Sequence, residues 1–332
     1  MQDRIVVIGA SAGGIEALRS IASEVPADFP APIVMIVHFA PDSPGVLHEI
    51  IDRSGPLTAR RARNGERLSP GRIYLPPPDT HLLIEPGHVR LTRGPKENRF
   101  RPAIDPLFRS AAQVYGPAAI GVILTGNLDD GTAGLWAIEK LGGTTVIQDP
   151  ADAMFPSMPA TAQRHVRIDH CVRLAEIAPL LVRLTATPVH AASGPAIPEH
   201  LNVEIKIAQE EDPLRAGLQN VTHPSTIACP DCHGVLMQLQ EGNRIRFRCH
   251  TGHSYTAASL LAGITEKIEE ALWTAIRSLH EGGMLMRQLA AHAGHIRDSV
   301  DDTVLTTRAE VLDRHAATLR EIVTEGTDVS PR

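Results

Sequence analysis

The sequence has no long uninterrupted apolar segment. Its best run, Pro32 to Val37 with its flanks, falls far short of the roughly 20 residues a helix needs to cross a bilayer, so no membrane insertion is expected. There is also no basic segment followed by an apolar one at the N-terminus, where Met1-Gln2-Asp3-Arg4 runs directly into Ile5-Val6-Val7-Ile8. A cytoplasmic location is expected on that ground. Basic charge is not in excess: a formal net charge of -6 offers phosphates no dominant cationic face, and nucleic acid is not expected as a partner. Cysteine is scarce, with four in 332 residues. Cys229, Cys232 and Cys249 share one short segment while Cys171 stands far away, which suits a metal site better than a disulfide framework.

What is present is 43% hydrophobic residues, ample for one large domain and a smaller module. Residues 4 to about 186 alternate β-rich runs with amphipathic stretches, the pattern of a doubly wound α/β domain with a mostly parallel sheet. Strands are expected at Arg4–Ile8, Ile33–Val37, Ile120–Leu124 and Thr144–Ile147, and helices at Gly14–Val25, Pro44–Arg53, Gly131–Leu141 and Leu174–Leu184. A proline-rich stretch between them, with weak strands at Arg72–Leu75, His81–Ile84 and His88–Leu91, reads as an antiparallel excursion. Residues 187–226 lose periodicity and read as a linker. A zinc-ribbon-like Cys/His module at 227–258 and a helical C-terminal region at 259–332 complete the expected organisation. In that last region Ile264, Ile268, Leu272, Ala275 and Leu279 make one helical face, Trp273 lies near it, Gly282-Gly283 interrupts or weakens the helix, and Leu305–Val323 is helical but highly charged.

The first strand ends in Gly9-Ala10-Ser11-Ala12-Gly13-Gly14. Strand, tight turn and helix are the context of a G-x-S-x-G nucleophile, and free N–H groups at the following helix face a developing oxyanion. The competing reading is a glycine-rich dinucleotide loop. Against it, Ser11 stands where a pyrophosphate needs glycine, and the second strand ends in His38 rather than in an acidic ribose ligand. The third strand runs into Thr125-Gly126-Asn127-Leu128-Asp129-Asp130-Gly131. Asp129 or Asp130 caps the helix near Gly131, or supplies the acid of a Ser, His, Asp set, an order unlike that of the α/β-hydrolases.

Several stretches taken in order resemble the catalytic domain of the chemotaxis protein-glutamate methylesterases, called CheB-type. They are Gly9 to Gly14, His38-Phe39-Ala40-Pro41, Tyr74 to His81, Arg101 to Phe108, Leu124 to Gly134, and Met158-Pro159 after Gln148-Asp149. The resemblance covers roughly residues 3 to 186 and carries the family's triad onto Ser11, His38 and Asp130, since the family's aspartate directly precedes the glycine at Gly131. It implies hydrolysis of glutamate γ-methyl esters on chemoreceptors with release of methanol, often with glutamine deamidation, and no cofactor for catalysis. Backbone N–H groups near Ala12 and Asn127 are the expected oxyanion donors. Where the family has threonine after the serine this chain has Ala12, and where it has Gly-Met-Gly before the aspartate this chain has Gly126-Asn127-Leu128. A usual member also carries an N-terminal receiver domain, which is not expected here because the catalytic strand begins at Arg4.

Cys229-Pro230-Asp231-Cys232, followed some 16 residues later by Cys249-His250-Thr251-Gly252-His253, fits a structural zinc held by Cys229, Cys232, Cys249 and His253. Three thiolates and an imidazole leave no open position for catalysis. The partners expected are a methylated receptor or other signalling protein as substrate, and a partner protein for the C-terminal helices. A catalytically weak adaptor in a chemotaxis-like pathway is the alternative, and a nucleotide-binding α/β protein is the third reading.

Overall fold

A computed structural model describes residues 4–189, 195–293 and 302–325. The chain runs β1 (Ile5–Ala10), α1 (Gly14–Glu24), β2 (Ile33–Val37), α2 (Leu47–Asp52), β3 (Thr58–Arg61), β4 (Arg72–Leu75), β5 (His81–Glu85), β6 (His88–Thr92) and α3 (Ile104–Tyr115). It continues through β7 (Ala119–Ile123), α4 (Thr132–Lys140), β8 (Thr144–Gln148), α5 (Ser157–His165), β9 (His170–Val172), α6 (Leu174–Ala186), α7 (Glu199–Ala208) and α8 (Leu218–Val221). Four strands follow, β10 (His223–Ala228), β11 (Val235–Glu241), β12 (Arg244–Cys249) and β13 (Ser254–Thr256), then α9 (Ala257–Ala293) and α10 (Asp302–Thr324). Residues 1–260 form one compact unit and residues 261–332 a second. Among the described residues no helix is long and apolar enough to cross a membrane.

Seven strands in the order β3-β4-β2-β1-β7-β8-β9 make one sheet, parallel at every pairing. Its central strands are apolar on both faces, as a sheet covered by helices on each side requires. Ile5 and Val7 join one cluster with Leu107, Phe108, Leu135 and Met158. Val6, Ile8 and Ala10 join the other with Leu18, Ile21, Ile51 and Ile177. The doubly wound expectation is met. The excursion is smaller than expected: β4 is a parallel member of the main sheet, beside a β3 that the sequence did not flag, and only β5 and β6 form a separate antiparallel pair.

The linker reading of 187–226 needs correction. Residues 190–194 lie outside the described residues, but α7 and α8 occupy much of the rest. In α7 the apolar residues Leu201, Val203, Ile205 and Ile207 alternate, a period of two that disguises a helix. The alternation arises because the helix is buried on two sides. Leu201 and Ile205 join the cluster beneath the main sheet, while Val203 and Ile207 pack with Ala216 and Leu218. Between them Glu204 is also buried.

The Cys/His segment is a four-stranded antiparallel sheet, β10-β11-β12-β13, inside the first compact unit. A buried ionic cluster joins it to the α/β layer. Arg248 Nε and Nη2 donate to Glu204 Oε1 and Oε2, both at 2.7 Å, and Nη2 also to Glu97 Oε1 at 2.8 Å. Arg246 Nη1 reaches Glu204 Oε2 at 3.1 Å, and Arg109 of α3 pairs with Glu97 and Glu204. Burial pushes the Glu97 and Glu204 carboxyls up, but the three guanidiniums outweigh it and hold both below the usual glutamate range, Glu204 at about 2.

In the second unit α9 and α10 form an antiparallel hairpin. The Gly282-Gly283 pair does not interrupt α9, contrary to expectation. A Cβ at Gly282 would lie 3.1 Å from Leu312 Cδ1, and one at Gly283 would lie 3.3 Å from Asp313 Oδ1, so the two glycines let α10 approach closely. Trp273, Leu285 and Leu289 on α9 are exposed.

Arg248→Met should cost about 3 to 5 kcal/mol, because it leaves buried glutamates without their partner; equilibrium unfolding in urea measures this. The native state holds the two carboxyls ionised below their ordinary value. Their contribution is therefore present above the ordinary glutamate value of 4.5 and lost as pH falls toward about 2. The difference between wild type and variant should shrink across that window.

Candidate active site

Parallel strands open their carboxyl ends on one edge, so the residues that follow them become neighbours. Ala10 is level with Val37 and Gly9 with Ile123. The next residues, Ser11, His38 and the loop from Leu124, must therefore meet, at the point where connections leave β1 and β7 in opposite directions. Ser11 N–H donates to Thr125 O at 3.0 Å, and Gly14 N–H to Ser11 O at 2.9 Å. Gly13 turns the chain with φ +72°, where a side chain is disfavoured.

Ser11 Oγ lies 3.0 Å from His38 Nδ1, and His38 Nε2 lies 2.7 Å from Asp130 Oδ2. An ionised Asp130 only accepts, so Nε2 carries the proton and Nδ1 presents its lone pair to the serine hydroxyl. The structure thus brings together the three residues singled out from the sequence. Phe100 stacks on the His38 ring at 3.8 Å and 2° and fixes its plane. Asp129 faces elsewhere, accepting a 2.7 Å bond from Thr256 Oγ1.

Asp130 is 2% exposed and well satisfied. Its Oδ2 also accepts from Ile104 N–H at 2.7 Å, and its Oδ1 accepts from Asn98 Nδ2 at 2.7 Å. Burial pushes this carboxyl up. The bonds and charge from His38, with those from Ile104 and Asn98, pull harder and leave it below its ordinary value.

The crevice above Ser11 has a volume of about 490 Å³ and is lined by Ser11, Ala12, His38, Phe39, Ala40 and Pro41 on one side and by Lys96, Arg99, Phe100 and Arg101 on the other. Arg101 is anchored by Asp79 at 2.7 Å, which joins the Tyr74 to His81 and Arg101 to Phe108 stretches. Of the two expected oxyanion donors, Ala12 lines the crevice. Asn127 lies in the exposed loop after β7. That loop is held against Ser11, since a Cβ on Gly126 would lie 2.8 Å from Ser11 Cβ. Leu128 follows with φ +62°, a left-handed conformation that costs a residue with a Cβ about 1 kcal/mol or more. Sequence reasoning missed Phe100, Asn98 and Thr125, whose Oγ1 donates to Ala12 O at 3.0 Å. Only the adjacency of the first two to Arg101-Pro102 hinted at them.

In the second sheet Cys229 and Cys232 come from the β10–β11 turn, Cys249 ends β12 and His253 precedes β13. Their ligand atoms all lie within 4.8 Å of one another. Cys232 Sγ is 3.6 Å from Cys249 Sγ, and His253 Nδ1 is 3.6 Å from Cys249 Sγ and 3.8 Å from Cys229 Sγ. A tetrahedron with metal–sulfur bonds of about 2.3 Å has edges of about 3.8 Å, so the four groups fit a metal ion. His250 sits instead against Gly234, where a Cβ would be 2.5 Å from its Cε1.

Comparison with known proteins matches the α/β layer. The CheB methylesterase family profile matches residues 6–181. A protein-glutamate methylesterase/protein-glutamine glutaminase of Xanthomonas campestris is 41% identical over 188 residues, covering 55% of this chain and 52% of the relative. The chain therefore spans about half the length of such curated relatives. A protein of Leptospira interrogans, provisionally named for the same two activities, is 38% identical over 185 residues, 55% of this chain and 96% of its own. The crystal structure of the Thermotoga maritima CheB methylesterase catalytic domain superposes with a TM-score of 0.53 and 34% identity, covering 55% of this chain and all of that one. With its α/β layer matched from strand β1 to helix α6, the chain belongs to the CheB methylesterase family.

Proposed function

We propose that this chain is a serine hydrolase that removes methyl groups from glutamate γ-methyl esters of receptor-like signalling proteins, with glutamine side-chain deamidation as a second reaction. One observation carries the reading: the unbroken run of hydrogen bonds from Ser11 through His38 to a buried Asp130 on the floor of an open crevice. The activity names of the relatives support the substrate class.

In this reaction Ser11 Oγ attacks the ester carbonyl as its proton passes to His38 Nδ1. Asp130 stabilises the imidazolium and keeps the proton on Nε2. The carbonyl oxygen, now anionic, takes the N–H groups of Ala12 and Asn127, neither of which donates to a described residue. Collapse of the tetrahedral intermediate expels methoxide, which takes the proton from Nδ1 and leaves as methanol. Water then adds to the acyl-enzyme by the same route, giving a free glutamate and the serine. With a glutamine side chain the leaving group is ammonia. The crevice and its bound histidine do not favour a dinucleotide or a purely adaptor role.

Cys229, Cys232, Cys249 and His253 hold one structural zinc in the same reading. It would fix the two turns of the second sheet, and its four protein ligands leave no place for substrate. Thiols kept reduced for that purpose suit the cytoplasm.

Asp130→Asn should lower kcat by about 10⁴-fold and Ser11→Ala by about 10⁶-fold, with little change in fold, measured as methanol release from a methylated receptor and near-ultraviolet circular dichroism. Equal release by wild type and Ser11→Ala would sink the hydrolase reading. Protein purified without chelators should carry about one zinc per chain. Cys232→Ser should lose it and melt at lower temperature, as elemental analysis and calorimetry would report.

A further inference from the structure

The triad acid has an outer support that reaches into the cysteine-bearing sheet. Asn98 Nδ2 donates to Asp130 Oδ1 at 2.7 Å and to Asp105 Oδ2 at 2.9 Å. The other end of the same side chain, Oδ1, accepts from Thr256 N–H at 3.1 Å and from Ser259 Oγ at 3.3 Å. The amide orientation is therefore fixed by its partners: only NH₂ can face two carboxylates, and only oxygen can face two donors. The backbone is held in the same way. Asn98 N–H donates to Ser254 O at 2.7 Å, and Ser254 N–H to Lys96 O at 3.2 Å. Asn98 and Arg99 have φ values of +50° and +75°, two successive left-handed residues that persist only where their surroundings impose them. The same short loop delivers Phe100 onto the His38 ring.

Resting on the reading of Ser11 as a nucleophile, we propose that Asn98 is a positioning residue for Asp130, and that the Ser254–Ser259 turn below the cysteine cluster sets its position. The second sheet is then a working part of the hydrolase and not an appended tail. The argument is one of charge as well as shape. Asp130 faces His38 from the end of β2, Asp105 from α3, His81 from β5 and Asp129 from its own loop, and Arg246 of β12 lies 3.9 Å from Asp105. Asp105 and Asp130 share a single neutral donor group; burial and the neighbouring Asp130 push the Asp105 carboxyl up to about 7 while Asp130 is held below its ordinary value, so Asp105 is the one that takes a proton and Asp130 stays the charged partner of His38. An Asp130 that is less firmly placed stabilises the imidazolium less, so the acid limb of activity should move to lower pH than in wild type.

The test follows covalent labelling of Ser11 by a fluorophosphonate across pH, beside methanol release from a methylated receptor. Asn98→Gly removes the amide while tolerating positive φ. Thr256→Val combined with Ser259→Ala removes the Ser259 hydroxyl that donates to Asn98 and the Thr256 hydroxyl bonded to it, while the Thr256 backbone N–H and Asn98 itself remain. We expect labelling near neutral pH to slow about 10- to 100-fold in the first variant and about threefold in the second. The acid limb should move down by roughly one pH unit in both. Methanol release should lose kcat with KM within about twofold, since Asn98, Thr256 and Ser259 do not line the crevice. Wild-type rates in the Thr256/Ser259 variant, or a loss equal at every pH, would overturn the inference. Should labelling depend on Asn98 while no methanol is released, the substrate assignment falls and the positioning role stands.

Discussion

The guanidinium groups of Arg109, Arg246 and Arg248, closed around the carboxylates of Glu97 and Glu204, are the interaction on which most of the molecule depends. All five are essentially removed from solvent, and ions in such a setting are tolerated only when every partner is in place. Arg109 belongs to α3, Glu204 to α7, Arg246 and Arg248 to β12, and Glu97 to the loop beside the crevice. Formation of the cluster thus demands that the α/β layer, the helix crossing beneath it and the second sheet all be assembled. It explains why an interval that looks like a tether contains a buried helix, and why residues 1–260 form one unit.

From that cluster the support runs inward. Glu97 is held by arginines, its neighbour Asn98 reaches Asp105 and Asp130, and Phe100 covers His38. Ser11 comes by a different route, from the parallel register that sets the ends of β1, β2 and β7 side by side. One set of constraints places Ser11 and His38. The other keeps the acid and the ring plane in place.

This division decides what could be read from the chain. In a parallel sheet the residue after each strand lies on a common edge, so Ser11, His38 and the acidic loop were legible from periodicity and a short pattern. The Cys/His cluster was legible because a closed tetrahedral site needs two close pairs, and Cys229-Cys232 and Cys249-His253 have that spacing. Asn98 was not. It stands in an aperiodic loop, and its acceptor role depends on Thr256, 158 positions further on. Nor was α7, because burial on two faces turns a helical period into an alternation. The glycine pair in α9 misled for a related reason: a residue that weakens an isolated helix also lets a second helix come near.

The flat contact between Phe100 and His38 has a further consequence. A ring held on one face and hydrogen-bonded at both nitrogens cannot swing aside between the two halves of a reaction. The group that leaves and the water that enters must therefore pass the same nitrogen in turn. In the reaction proposed above, on a methyl ester, these two molecules differ by a single carbon, so deacylation would retrace acylation almost as its mirror image. Such a reaction has little need for a second arrangement of the groups, and an immobile histidine would be an advantage for so small a leaving group.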